Sequence, residues 1–329
     1  MFIRLDNYAN VENSQLCNFI RDIKTLLTIG GFSIFFFVGA CQQITKPNKS
    51  EELILLRDSL VIGLKSAFPV ILRESSGLCY TDGNLWTFGD GGNPNEIYKI
   101  DSSTGTILQT VRVGNFPNND WEDITADSSY IYIGDFGNNN GNRRDLKIIR
   151  IKKADLKVRD SIVKVNGEAI NFIYSDQTDF AKASRTDYDC ESVISIGHFL
   201  YLFTKDGIDL RTRCYQIPNL PGTYKAILKS SFDTKGKITA AAFNTETKEI
   251  ALLGYMDKKV GSFIWFLDGY HNDDFFGGEH SRITIGTDKD WQTEGLDYIS
   301  SKRLFMSCET SKSRTASLYF IQKQYAQRN

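Results

Sequence analysis

One layout recurs along this chain of 329 residues and limits what it can fold into. It runs from an acidic residue through a short apolar segment, a turn and a β-prone segment to a second acidic residue. The clearest copy is Asp120–Gly141. There Ile124–Ala126 and Tyr130–Gly134 are expected to pair as antiparallel strands, which returns Glu122/Asp123 and Asp135 to one edge of a sheet. Further copies run from Glu74 to Asp90, from Glu191 to Asp206 and from Glu294 to Glu309, so that the acids are 13 to 16 residues apart. Another copy, Ile238–Phe243 followed by Glu249–Leu253 and Tyr255-Met256-Asp257, departs from the pattern. It carries Ala240-Ala241-Ala242 where the first acid belongs.

Each copy extends to further strands. After the turn at Asp82-Gly83 come Leu85–Phe88, Glu96–Ile100 and Ile107–Val113, the last two separated by the turn residues Asp101–Gly105. The second copy adds Leu146–Ile151 and a strand near Ala169–Tyr174; the third begins at Asp189-Cys190-Glu191 and continues through His198–Phe203; the last adds Ser317–Ile321. A four-stranded sheet alone leaves two apolar faces bare, and stacking such sheets around an axis covers both. A repeat of about 40–55 residues built this way is the mark of a β-propeller. The fold expected is therefore all-β, a β-propeller of five four-stranded blades, with room for a sixth in the long stretch Trp121–Glu191. A β-sandwich or a pair of β domains is the competing architecture. Val61–Leu64 and Val70–Leu72 read as strands around Pro69, and a strand within Leu60–Leu72 is expected to close the last blade. Glu51–Lys65 also fits an amphipathic helix.

The N-terminus has a different character. Arg21 and Lys24 precede an uncharged run, Leu26–Phe37, that ends in Val38-Gly39-Ala40-Cys41. A basic flank, an apolar run and small residues match an export signal, and the run is short for a membrane span. The last four residues resemble a bacterial lipobox, in which the cysteine is lipidated. The division expected is a signal peptide over 1–41, a polar tether over 42–52 and the propeller over 53–329. Cys41 would hold the domain on a lipid membrane, exported and anchored at the cell envelope, in the outer membrane or at the cell surface. Four cysteines then remain, Cys79, Cys190, Cys214 and Cys308. Their spacing selects no disulfide pairing, and buried free thiols fit equally well. A net charge of −1 and the absence of basic tracts give no basis for nucleic-acid binding, and a monomer is expected. His198, His271 and His280 do not have metal-ligand spacing.

In a propeller the starts of the first strands and the ends of the second strands gather at one face. That places Glu74, Glu122, Glu191 and Glu294 around a channel mouth, with Asp90, Asp135, Asp206 and Glu309 just outside them. Crowded carboxylates repel and need cations or protons. Hard oxygen donors suit Ca²⁺, or Mg²⁺. The metal-ligand set read from the sequence is Glu74, Glu122, Glu191, Glu294, Asp90 and Asp135, with Asn138, Asn139 and Asn140 nearby. The competing reading makes these acids structural, capping strand ends through backbone N–H groups of neighbouring blades. Arg143, Arg144, Lys205, Asp206 and Glu309 are candidates for gripping a small-molecule or protein ligand. Lys205 is also placed to neutralise the ring. Trp121 fits a wedge between blades better than a ligand cleft, and Asp268–His280 reads as an exposed loop or lid. No nucleophile elbow is present.

The run Trp121-Glu122-Asp123-Ile124, Tyr132–Asn139 and Arg143–Leu146, with Glu74–Leu78 before it, resembles a group of β-propeller lipoproteins of Bacteroidetes-type bacteria. The resemblance covers most of the chain after Leu53. More distantly, the layout is similar to calcium-dependent propeller hydrolases of the SMP-30/gluconolactonase-like, paraoxonase-like and phytase-like groups. In those groups mouth Glu, Asn and Asp residues hold a cation that polarises the substrate; the resemblance extends this to Glu74, Glu122, Glu191 and Glu294 by place in the repeat. Two function classes follow. One is a tethered propeller that binds a ligand or partner beside a divalent cation. The other is a metal-dependent hydrolase of a phosphoester, ester or lactone, with Glu122 as catalytic base.

Overall fold

The computed structural model describes residues 59–158, 160–256, 261–286 and 291–324. These residues belong to one compact unit. The export signal, Cys41 and the tether lie outside the described residues.

Described residues outside loops form strands and three short 3-10 turns. After β1 (Ser59–Ala67) comes an antiparallel meander of β2 (Ser75–Thr81), β3 (Asn84–Gly89), β4 (Glu96–Ile100) and β5 (Ile107–Val113). β6 (Trp121–Ala126), β7 (Tyr130–Asp135) and β8 (Lys147–Lys152) follow. β9 (Ile162–Val165) then crosses to pair parallel with β5, and β10 (Glu168–Tyr174) returns to β8. The third meander is β11 (Cys190–Ile196), β12 (Phe199–Thr204), β13 (Thr212–Pro218) and β14 (Gly222–Phe232). Its β14 pairs parallel with β10, so the second and third groups share one eight-stranded sheet. β15 (Lys237–Phe243), β16 (Ile250–Tyr255), β17 (Ser262–Asp268) and β18 (Glu279–Thr284) form a fourth group. β19 (Thr293–Ser300), β20 (Arg303–Cys308) and β21 (Ser317–Gln324) form the last, which β1 completes by pairing antiparallel with β21.

The first strands of the groups pack side by side: β2 with β6, β6 with β11, β11 with β15, β15 with β19, and β19 with β2. This all-β arrangement is propeller-like, and burial follows from it. The second strands β3, β7, β12, β16 and β20 are buried on both faces, because a neighbouring group covers each side. Far from the first strands, β14 and β18 are mostly exposed. The core is accordingly divided into clusters lying between successive groups. Trp121 is fully buried in one of them, edge-on to Phe88 at 5.7 Å, the wedge position expected of it.

Local chemistry explains the turns. Asp82 and Gly83 both have positive φ, 50° and 74°, which closes the β2–β3 hairpin in the sense that matches strand twist. Two expectations need correction. Val70–Leu72 is a 3-10 turn: it follows Pro69, which donates no hydrogen bond, and Val70 and Ile71 face solvent. Ser59–Lys65, the second half of the possible helix, is strand. All four described cysteines are buried free thiols.

Candidate functional site at the acidic mouth

Every first strand carries a β-bulge near its start. The register of β6 against β7 shifts between Trp121 and Asp123, that of β11 against β12 between Cys190 and Ser192, and that of β19 against β20 between Thr293 and Gly295. The residues left over are Glu122, Glu191 and Glu294. In β2 the shift lies between Ser75 and Leu78, and in β15 between Ile238 and Ala240, leaving Ser76 with Gly77 and leaving Thr239. A bulge turns one side chain out of the ladder and is a common device for aiming a functional group. The same device recurs around the ring, and three of its side chains are glutamates. The other two are hydroxyls that tie neighbours together: Ser76 Oγ donates to the Glu122 carbonyl at 2.6 Å, and Thr239 Oγ1 to the Thr293 carbonyl at 2.7 Å.

This register corrects the sequence reading in two places. Glu74 is not the counterpart of Glu122; it precedes Ser75 as Asp120 precedes Trp121 and Asp189 precedes Cys190. The fourth group's counterpart is Thr239, not an alanine. At the exits of the second strands, Gly89, Asp135, Thr204, Gly254 and Cys308 are equivalent, so the next residues, Asp90, Phe136, Lys205, Tyr255 and Glu309, are equivalent too. Asp135 is one residue early in this register and Asp206 one residue late. A one-residue offset sends a strand side chain to the opposite face. Asp135 is buried against Arg143 Nη2 at 2.9 Å and Lys147 Nζ at 3.3 Å. Asp206, fully buried, bonds Thr204 Oγ1 and pairs with Arg213, beside Asp187 and Asp209. Burial holds the Asp206 carboxyl at about 8.

Three acids do converge. Oxygens of Asp90, Asp120 and Glu122 all lie within 4.8 Å of one another. Asp90 comes from the exit of β3, and Asp120 and Glu122 from the start of β6, whose neighbour is β2. Glycines make the room. A Cβ on Gly137 would collide with Glu122 Oε1 and come within 2.5 Å of Asp120 Oδ2; one on Gly91 would come within 2.5 Å of Asp120 Oδ1. Glu122 is 8% exposed, and no described residue donates to its carboxylate or pairs with it. Burial pushes its carboxyl well above the ordinary range, Glu191 adds to the rise and Lys205 opposes it. Burial likewise raises Asp90, and raises Asp120 to about 6 against the pull of Arg143, 4.0 Å away. The sequence reading missed Asp120, although its place one residue before the strand, like that of Glu74, was the available signal.

The remaining predicted residues divide. Glu191 pairs with Lys205, whose Nζ also lies 3.7 Å from Asp189 Oδ2. Burial raises Glu294, with Glu309 adding to the rise, and burial with the neighbouring charges of Asp90 and Glu74 lifts Glu309 to about 7. Glu74 accepts from Asn93 Nδ2 at 2.9 Å. Arg143 is committed to Asp135, Asp145 and the Gly137 carbonyl, so it is not the free anion grip expected, while Arg144 is exposed and lies over the Phe180 ring at 3.7 Å. Asn138 is buried and spent on Asp189, Tyr188 and Arg143. At the opposite ends of the first strands a separate cavity of about 680 Å³ opens among the hairpin turns, lined by residues such as Asp82, Asp127, Lys153, Asn244 and Ser301. The acid triplet is not part of it.

Comparison with known proteins assigns the chain to no family. No family model and no curated protein sequence matches the chain. Among solved structures it is similar to the hydrazine synthase of Kuenenia stuttgartiensis (TM-score 0.35, 10% identity, 73% of this chain and 57% of that one). It is also similar to the Cps50 (Swd1) β-propeller domain of Myceliophteria thermophila (0.36, 10%, 75% and 83%) and to a GH43 β-1,3-galactosidase (0.39, 11%, 56% and 39%).

Proposed function

We propose that the chain is a five-bladed β-propeller, held at the cell envelope through lipidated Cys41, whose acidic mouth binds one divalent cation and, beside it, an external ligand or partner. The ring of first strands and the addition of β1 to the last sheet support the blade count. One observation carries the site: a buried, unpartnered Glu122 carboxylate converges with Asp90 and Asp120 against two glycines. Three hard oxygens at this spacing suit a shared ion of the Ca²⁺ class, which bonds oxygen at about 2.3–2.6 Å and fills its shell with carbonyls and water. Mg²⁺ prefers the same donors in a tighter octahedron. Capping, the competing role, does not fit Glu122, because it caps nothing.

The test is metal analysis of protein purified without chelator, followed by calorimetric titration with CaCl₂. One ion per chain is expected, and E122Q or D120N should weaken binding at least tenfold. A wild-type protein that binds neither Ca²⁺ nor Mg²⁺ at millimolar concentration sinks the proposal.

A second reading, hydrolysis of a phosphoester, ester or lactone, draws on the same carboxylate. A bound cation supplies Lewis acidity and acidifies a coordinated water. Burial raises the Glu122 carboxyl, and a bound cation would lower it again, so that Glu122, which no described residue holds, could accept a proton as general base. Turnover that disappears with chelator and with E122Q supports this reading. No turnover under any metal condition removes it and leaves the binding role standing.

A further inference from the structure

We infer that Lys205 is a built-in cation, and that its ammonium occupies the place of a second metal ion and keeps the mouth mononuclear. This rests on the cation reading above and extends it to the neighbouring junction of the ring.

The register makes the case. Lys205 stands where the first group has Asp90 and the last has Glu309, the residue just past the second strand. At the junction of the first and second groups an exit acid, Asp90, meets a start acid, Asp120, and a bulge acid, Glu122. The third group repeats the start and bulge acids as Asp189 and Glu191, but the exit residue preceding them is Phe136. Two buried carboxylates there lack a third, and the positive charge they need comes from Lys205. Its backbone N–H donates to the Asp189 carbonyl at 2.7 Å, which fixes the start of the side chain. Its Nζ forms the ion pair with Glu191 Oε1 and lies 3.7 Å from Asp189 Oδ2. Glu191 and Asp189 are 3% exposed, and the lysine side chain is 17% exposed. An ammonium is a compact point charge, and here it is held against two carboxylates as a metal ion would be. No other junction repeats the full set of exit, start and bulge acids: between the last group and the first, Glu309 and Glu74 meet Ser76 in place of a bulge acid. The fourth group offers Thr239 and Tyr255 at the equivalent places, and Gln292 replaces the start acid of the last.

The inference is tested by counting ions in the full chain. Wild-type protein, K205M and K205M/E191Q are titrated with CaCl₂ and their metal content measured after desalting. Wild type should hold one ion, K205M two, and the double variant one again, because Glu191 supplies the second site. If K205M does not stay folded, K205Q is titrated in its place and read the same way. One ion in both wild type and the lysine variant overturns the inference while leaving the cation reading intact. Two ions in wild type overturn it as well. No ion in wild type is the separate failure of the cation reading, and the inference falls with it.

Discussion

Glu122 and Asp123 are adjacent carboxylates, both almost fully buried, in opposite circumstances. Asp123 accepts from the backbone N–H groups of Ile124 at 2.8 Å and of Val193 at 2.9 Å, and so ties β6 to β11. Asp297 does the same on the far side of the ring, accepting from Tyr80 at 2.6 Å and Tyr298 at 2.8 Å, and ties β19 to β2. The mouth glutamate has no such donor. The capping role weighed for the acids therefore exists, but it belongs to residues further along the first strands, Asp123 directly after its bulge and Asp297 beyond Gly295. One class of buried carboxylate holds the ring together; the other is a cost to the apo fold that a bound ion can offset.

The sharpest way to break this contrast is to neutralise each member. D123A orphans two buried backbone donors, and is expected to destabilise the protein by about 3–5 kcal/mol in urea unfolding. E122Q should do the reverse. Without metal it removes the cost of burying this carboxyl, ionised or protonated, and unfolding at pH 8 should become harder by about 1 kcal/mol. Calcium at 100 times its Kd should stabilise wild type by about 2.7 kcal/mol and leave E122Q unchanged. If both substitutions destabilise the apo protein alike, Glu122 is structural after all.

Much of this was legible in the sequence, but to a resolution of about one residue. The Glu122–Asp135 hairpin, the recurrence of the unit and the closing strand at the N-terminus follow from turn residues and alternation, and the strands lie there. Counting along the chain cannot see a bulge, and a bulge shifts register by one. That is why Asp135 and Asp206 were grouped with Asp90, although their side chains reach basic partners on the other face. It is also why Glu74 was aligned with Glu122. The parallel pairings of β9 with β5 and of β10 with β14 left no trace, since a pairing between distant segments has no local pattern.

A smaller effect separates the two regions by pH. Burial raises Asp120 to about 6, Asp297 and Glu309 to about 7 and Asp206 to about 8. Each is a carboxyl whose folded value exceeds its unfolded one. The folded state therefore holds more protons, and stability falls as pH rises from the ordinary carboxylate range to these values. Apo protein should melt highest near pH 5 and lose several degrees by pH 8, at about 2–4 °C per kcal/mol for a domain of this size. Saturating Ca²⁺ should flatten the mouth's share of the slope and leave that of Asp297 and Asp206. A melting temperature that rises steadily from pH 5 to pH 8 without metal contradicts the assignment of these acids.

The smallest expected effect lies in a second pair of neighbours, Arg143 and Arg144, read from the sequence as one anion-gripping element. Arg143 is largely buried and bridges Asp135, Asp145 and the Gly137 carbonyl, the glycine that faces the acid triplet. Arg144 is exposed, and its guanidinium lies over the Phe180 ring at 3.7 Å. Such a stack at an exposed site contributes about 0.5–1 kcal/mol. R144A should therefore cost no more than that in urea unfolding and leave the calcium titration of the mouth unchanged. R143A removes the charge that restrains Asp120 and the bond that fixes Gly137, so the same titration should shift. Equal effects of the two substitutions on ion binding would mean that both side chains act at the mouth, against the separation the geometry gives them.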